Sequence, residues 1–194
     1  EWNEEAKEDI RLYPKFGNAV KTVDQKKADQ LLIDDYAQEQ GSRHKASELL
    51  VKLGFDYFYK GETKTAMYRF NQAWLLDPKN ENAFWGFAAV YFHFGDLENA
   101  MKQLDEGLAL NPESSNILTD KATIHLVNFQ AHNEQQELTK AVDFFTQSFK
   151  IDPKNQNTLY KLSGAYMLSG DCNNALKYYN MCKELGGNSI TQDY

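Results

Sequence analysis

The sequence predicts an all-α fold: a right-handed α-α superhelical solenoid of helix hairpins, closed at its N-terminal end by a capping helix. Three observations predict it. Residue columns recur at a fixed step along most of the chain. Within each step the apolar residues follow i, i+3, i+4, i+7 spacing rather than alternation. The composition, 42% hydrophobic and 13% aromatic with only 4 prolines in 194 residues, is that of a folded chain.

The recurrence is visible in FNQAWLLDP (70–78), LDEGLALNP (104–112) and FTQSFKIDP (145–153). Ala66, Ala100, Ala141 and Ala175 step by 34, 41 and 34, as do Phe70, Leu104, Phe145 and Tyr179, and Ala73, Gly107, Ser148 and Cys182. An earlier set, Leu50, Phe84, Leu118 and Leu159, steps by 34, 34 and 41, followed by Gly54, Ala88, Ala122 and Ser163 and by Tyr57, Tyr91, His125 and Tyr166. The two sets disagree only in where seven extra residues fall, so an insertion lies between His125 and Ala141.

In chain order, residues 1–22 form a polar leader, expected to be extended around Pro14 and Gly17. Residues 23–46 hold the capping helix and a link. Thr22 and Gln25 read as its capping box, Gly41 as its stop and Ser42 as the cap of the next helix. Leu31, Leu32 and Tyr36 are expected to face the first repeat. Four units follow, at 47–80, 81–114, 115–155 (with the insertion) and 156–188, and then a tail at 189–194. Each unit reads as two helices with a break at Gly61, Gly95 or Gly170, the second ended by Asp77-Pro78, Asn111-Pro112 or Asp152-Pro153. The small column at Gly54 lets helices approach, while the large column at Phe70 fills the space beside it. The stretch at 126–140 has no Gly or Pro. Seven residues are two helical turns, so both helices of the third hairpin are expected to lengthen and protrude, a mobile loop being the other reading.

These residues resemble the tetratricopeptide repeat (TPR) family. Its pattern is a large apolar residue, Leu-Gly, Tyr, then Ala, Phe, Ala and Pro over 34 residues. The first unit meets it at Leu50, Leu53, Gly54, Tyr57, Ala66, Phe70, Ala73 and Pro78. The later units match more loosely, departing at Lys121, His125 and Gly187. The resemblance implies a noncatalytic protein-interaction module that holds a protein or peptide partner on the concave face lined by the first helices. Helical angle places Val51, Lys52, Phe55, Phe58 and Tyr59 there, then Trp85, Ala89, Phe92 and His93, then Thr119, Asp120, Thr123, Leu126 and Val127, and finally Tyr160, Lys161, Met167 and Leu168. The partner-binding set is Phe55, Phe58, Tyr59, Trp85, Phe92 and Tyr160, with Lys52 and Lys161 as its positive points. A contiguous aromatic surface marks an interaction site; burial between neighbouring helices is the other reading. Some family members clamp a chaperone-tail carboxylate with Lys, Asn and Arg, but the corresponding places carry Val51, Phe55 and Gly86. Asn82, Asn116 and Asn157 share a column at helix starts and read as caps rather than peptide ligands.

A net charge of −7 argues against a nucleic-acid footprint, and no apolar run is long enough to span a bilayer. Cys172 and Cys182, about 15 Å apart on a helix, are expected to be buried and unbridged. His125 reads as a satisfied core residue, and no metal set, cofactor motif or nucleophile–base pair is legible, so no enzyme activity is expected. Self-association through the third hairpin or the C-terminal end is the alternative function. A further possibility is that the leader, with Leu12, Tyr13 and Phe16, lies in the chain's own groove. The chain opens on Glu1 rather than Met, and its look is similar to exported, lipid-anchored bacterial repeat proteins. That resemblance implies an exported, periplasmic or membrane-anchored protein with a lipid at the missing N-terminus, the cytoplasm being the alternative.

Overall fold

The computed structural model describes residues 2–187. Among them are ten α-helices and no strand: α1 (Trp2–Glu8), α2 (Val23–Gln40), α3 (Arg43–Tyr59), α4 (Thr63–Leu76), α5 (Glu81–His93), α6 (Leu97–Leu110), α7 (Ser115–His132), α8 (Gln135–Ile151), α9 (Gln156–Leu168) and α10 (Cys172–Glu184). They fall into two compact units, 1–111 and 112–194, each built on two hairpins. The expected tail at 189–194 lies outside the described residues.

In the first unit α3 pairs with α4 and α5 with α6, and α5 also packs on α3 and α4. The hairpin turns use Gly61 and Gly95 at φ 79° and 74°, where a side chain would be strained. The centre is Phe70, fully buried on α4. Gly54 of α3 and Gly86 of α5 flank its ring, and a Cβ on either would overlap ring carbons. Gly86, aligned above only with a clamp position, is therefore a packing residue.

The capping helix is present as expected. Thr22 accepts from the Gln25 amide while the Gln25 side chain accepts from the Thr22 amide, Gly41 ends the helix at φ 77°, and Ser42 caps α3. Its packing face is Leu32, Ile33 and Tyr36, set against Ala46, Leu50 and Leu76. Leu31 points outward at 65% exposure, one helical step off the expected face.

The leader differs from the extended segment expected. It is the helix α1, a short 3-10 turn at Ile10–Leu12, and a left-handed turn in which Lys15, Phe16, Gly17 and Asn18 have φ of 56°, 55°, 64° and 55°. The reason lies in its apolar residues: Trp2, Ala6, Leu12 and Pro14 are buried. The turn is strained, because left-handed backbone costs a non-glycine residue about 1 kcal/mol.

In the second unit α7 pairs with α8 and α9 with α10, around Phe145, Leu138, Leu159 and Leu162. The hairpin carrying the insertion is continuous helix: α7 and α8 run 18 and 17 residues against 13 each for α9 and α10. Asn133, at φ 57°, makes the turn between them. Thr119, Ser148 and Thr158 are fully buried and join by their hydroxyls at 2.6–3.0 Å. Thr119 thus belongs to the core, not to an open face. Cys182 is buried but Cys172 is exposed at the start of α10, contrary to the paired burial expected.

Candidate functional site

Four predicted aromatic residues of the first unit, Phe55, Phe58, Tyr59 and Trp85, form one continuous ladder with His93, because α3 and α5 lie side by side. Trp85 lies 4.3 Å from Phe55, Phe55 is 6.1 Å from Tyr59, Tyr59 is 5.7 Å from Phe58, and Phe58 is 5.6 Å from His93, all between ring centroids. The ladder continues to Phe94 at 5.0 Å and ends on Trp2 of the leader, stacked 4.9 Å further on. Aromatic pairs at these separations hold one another rigid and keep apolar faces in place.

The rings divide by depth. Phe55 meets Phe70 edge-on at 5.1 Å and packs against the core, so it roots the ladder as well as lining it. Tyr59 is 77% exposed, and Phe92 and Phe94 are 39% and 42% exposed. Phe58 and Trp85 are half-buried and Lys52 is exposed. This is the surface the helical angles predict, less Val51, which is buried.

Tyr160 and Lys161 lie on α9 in the second unit. Tyr160 is half-buried against the core built on Phe145. The Lys161 ammonium donates to the Thr123 hydroxyl at 3.0 Å and lies 3.8 Å from Asp120. Burial pushes its pKa down and Asp120 opposes the shift. Lys161 is thus a satisfied charge rather than a loose one. Met167 and Leu168 nearby are each about half exposed.

His125 Nδ1 donates to the Glu137 carboxylate at 2.7 Å across the third hairpin, and its ring stacks on Phe144 at 5.5 Å. Glu137 also takes Lys140 at 2.7 Å, and the His125 bond foremost, then Lys140, hold its carboxyl down at about 2. The asparagine column is corrected: the caps are Asn80 and Asn155, which accept from the amides of Asn82 and Thr158. Asn82 lies inside α5, and Asn116 accepts from Asn155. No group of three or more potential metal ligands occurs among the described residues. None of their helices is long and apolar enough to cross a membrane.

The leader does not lie in the aromatic groove. It crosses the second helices, α4 and α6, and meets the ladder at Trp2. Sequence reasoning missed its anchor, Asn71. The available signal was an asparagine in mid-helix, where its propensity is poor and it needs another role.

A tetratricopeptide repeat family model matches residues 57–123. No curated protein matches the chain. Solved structures share the fold. PilF of Pseudomonas aeruginosa is 18% identical with a TM-score of 0.62, the match covering 75% of this chain and 64% of that one. The thermophilic TPR protein TTC0263 of Thermus thermophilus is 14% identical with a TM-score of 0.64, covering 73% and 75%. The first TPR of Spaghetti (RPAP3), bound to the HSP90 peptide SRMEEVD, is 18% identical with a TM-score of 0.52, covering 64% and 93%. The chain therefore spans less than two thirds of the PilF structure's length.

Proposed function

We propose that this chain is a noncatalytic protein-interaction module whose aromatic ladder on α3 and α5 holds an apolar-faced peptide or helix of a protein partner. The observation that carries the reading is the run of rings from Trp85 to His93, rooted on Phe70 and open at Tyr59, with Phe92 exposed next to His93 on α5. Exposed aromatic clusters of this kind supply the anchors of protein interfaces. The repeat match and the peptide-bound relative support the class of function. An acidic tail held by a carboxylate clamp does not suit this face, because Val51 and Gly86 are packing residues. In the second unit, taken by itself, Tyr160 and Lys161 are the proposed binding residues.

The test is a Tyr59→Ala/Phe92→Ala double variant, compared with the parent by co-purification from the native cell. Both side chains are exposed, so the variant retains its helical circular dichroism. We expect it to lose partners that the parent retains. A correctly folded double variant that retains every partner overturns the reading.

A second reading, self-association, is favoured by the lengthened third hairpin and by the exposed Met167, Leu168 and Leu176. A constant monomer mass by light scattering across concentrations removes it. Export with a lipid anchor is part of the proposal for location, and fractionation of native cells tests it.

A further inference from the structure

The leader is held to the first unit in the way a protein holds a peptide. Asn71, fully buried on α4, turns its whole amide to leader backbone. Its Nδ2 donates to the carbonyls of Arg11 at 2.8 Å and Tyr13 at 2.9 Å, and its Oδ1 accepts from the Phe16 amide at 3.1 Å. Around this clamp the Tyr68 hydroxyl donates to Asp9 at 2.8 Å, Lys64 pairs with Glu5 at 3.0 Å, and Lys15 reaches Glu106 of α6 at 2.6 Å. Leu12 and Pro14 are the buried anchors between them. Backbone read by a polar side chain, with pockets for a few side chains, is the chemistry of peptide recognition.

Docking is opposed from within. Lys15, Phe16 and Asn18 are held left-handed, a conformation each leaves on release. The Trp2 indole nitrogen is buried with no acceptor, a desolvation that undocking relieves. The connection to α2 runs across Ala19–Thr22, where Val20 is 96% exposed and Lys21 pairs with Asp29 at 2.6 Å and lies 3.5 Å from the Phe16 ring centroid, the last a contact that undocking breaks.

We propose that the α4–α6 surface is a second peptide-binding groove, distinct from the aromatic ladder, and that its resident ligand is the chain's own leader. The leader undocks as a unit while the hairpins stay folded. The vacated berth fits a segment with an apolar residue two places before a proline, as in Leu12-Tyr13-Pro14.

Hydrogen exchange on the full chain tests the undocking. The amides of Leu12, Tyr13, Phe16 and Ala19 all have acceptors in the docked leader. We expect them to exchange through an opening that leaves α3–α6 protected. Asn71→Ala is expected to speed leader exchange about tenfold or more, with protection in α3 and α5 unchanged. Leader amides that exchange only together with those of α3–α6, or an Asn71→Ala chain with unaltered leader exchange, overturn the proposal. The groove itself is tested by placing a protease site between Val20 and Lys21 and cutting the folded chain. A labelled synthetic peptide of residues 2–19 should then bind the cut protein saturably, and bind the cut Asn71→Ala protein at least about tenfold more weakly. Loss of helical signal on cutting, or equal affinity for the two cut proteins, overturns it.

Discussion

Gly86 carries the sharpest residue-scale constraint in the first unit. Its missing Cβ is what admits the Phe70 ring between α3 and α5, with Gly54 doing the same from the other side. Phe70 is fully buried, so the ring has no solvent side to retreat to. Gly86→Ala adds a single methyl group on a helix, where propensity alone favours alanine. Overpacking reverses that preference, and the substitution is expected to cost about 1–3 kcal/mol. Urea denaturation checks it, and a stabilised variant is the contrary result. Gly54 stood out in the sequence because it recurs in a small column. Gly86 did not, because its equivalents Asp120 and Lys161 are large. Only the approach of α5 to the Phe70 ring reveals its role.

At the scale of elements, the third hairpin shows how a length change is absorbed. An insertion of two helical turns preserves which face is buried, and α7 and α8 accordingly lengthen without a break. That outcome was legible, because the repeat columns locate the insertion and its residues suit helix. What spacing could not show is the polar clasp across the hairpin, His125 with Glu137 and Lys140. Glu137 is held at about 2 against an ordinary 4.5, so it adds stability above pH 4.5 that fades as the pH falls towards 2. Glu137→Gln should flatten that part of the acid limb, as read from the thermal midpoint between pH 4.5 and 2; a limb of unchanged slope contradicts it. The leader was the least legible element. Trp2 and Ala6 share a helical spacing too short to predict a helix, and what orders the segment around Asn71 is a groove made by helices more than 50 positions later.

At the scale of the molecule, each unit has a core of its own, one including Leu50, Leu76 and Phe70, the other built on Phe145, Leu138 and Leu162. Repeat architectures add up stability from neighbouring contacts rather than from one central core. Phe145→Ala should cost about 3–5 kcal/mol, and amide exchange should locate that loss in α7–α10 while α3–α6 keep their protection. Equal loss across α3–α6 is the contrary result. The aromatic content divides along the same lines. Phe70 and Phe145 hold the hairpins together, while Tyr59 and Phe92 remain at the surface. Helical angle anticipated the exposure of Tyr59 and Phe92, and erred at Val51 and Thr119, which are buried.

The leader also sets an order of assembly. Hairpins close between near neighbours, whereas Asn71 meets Arg11 across 60 positions and Lys15 meets Glu106 across 91. Long loops close slowly relative to local ones. During synthesis the leader emerges before the hairpins, yet its berth is complete only once α6 has been made. It therefore waits unpaired through the birth of the entire first unit, and its docking marks that unit's completion.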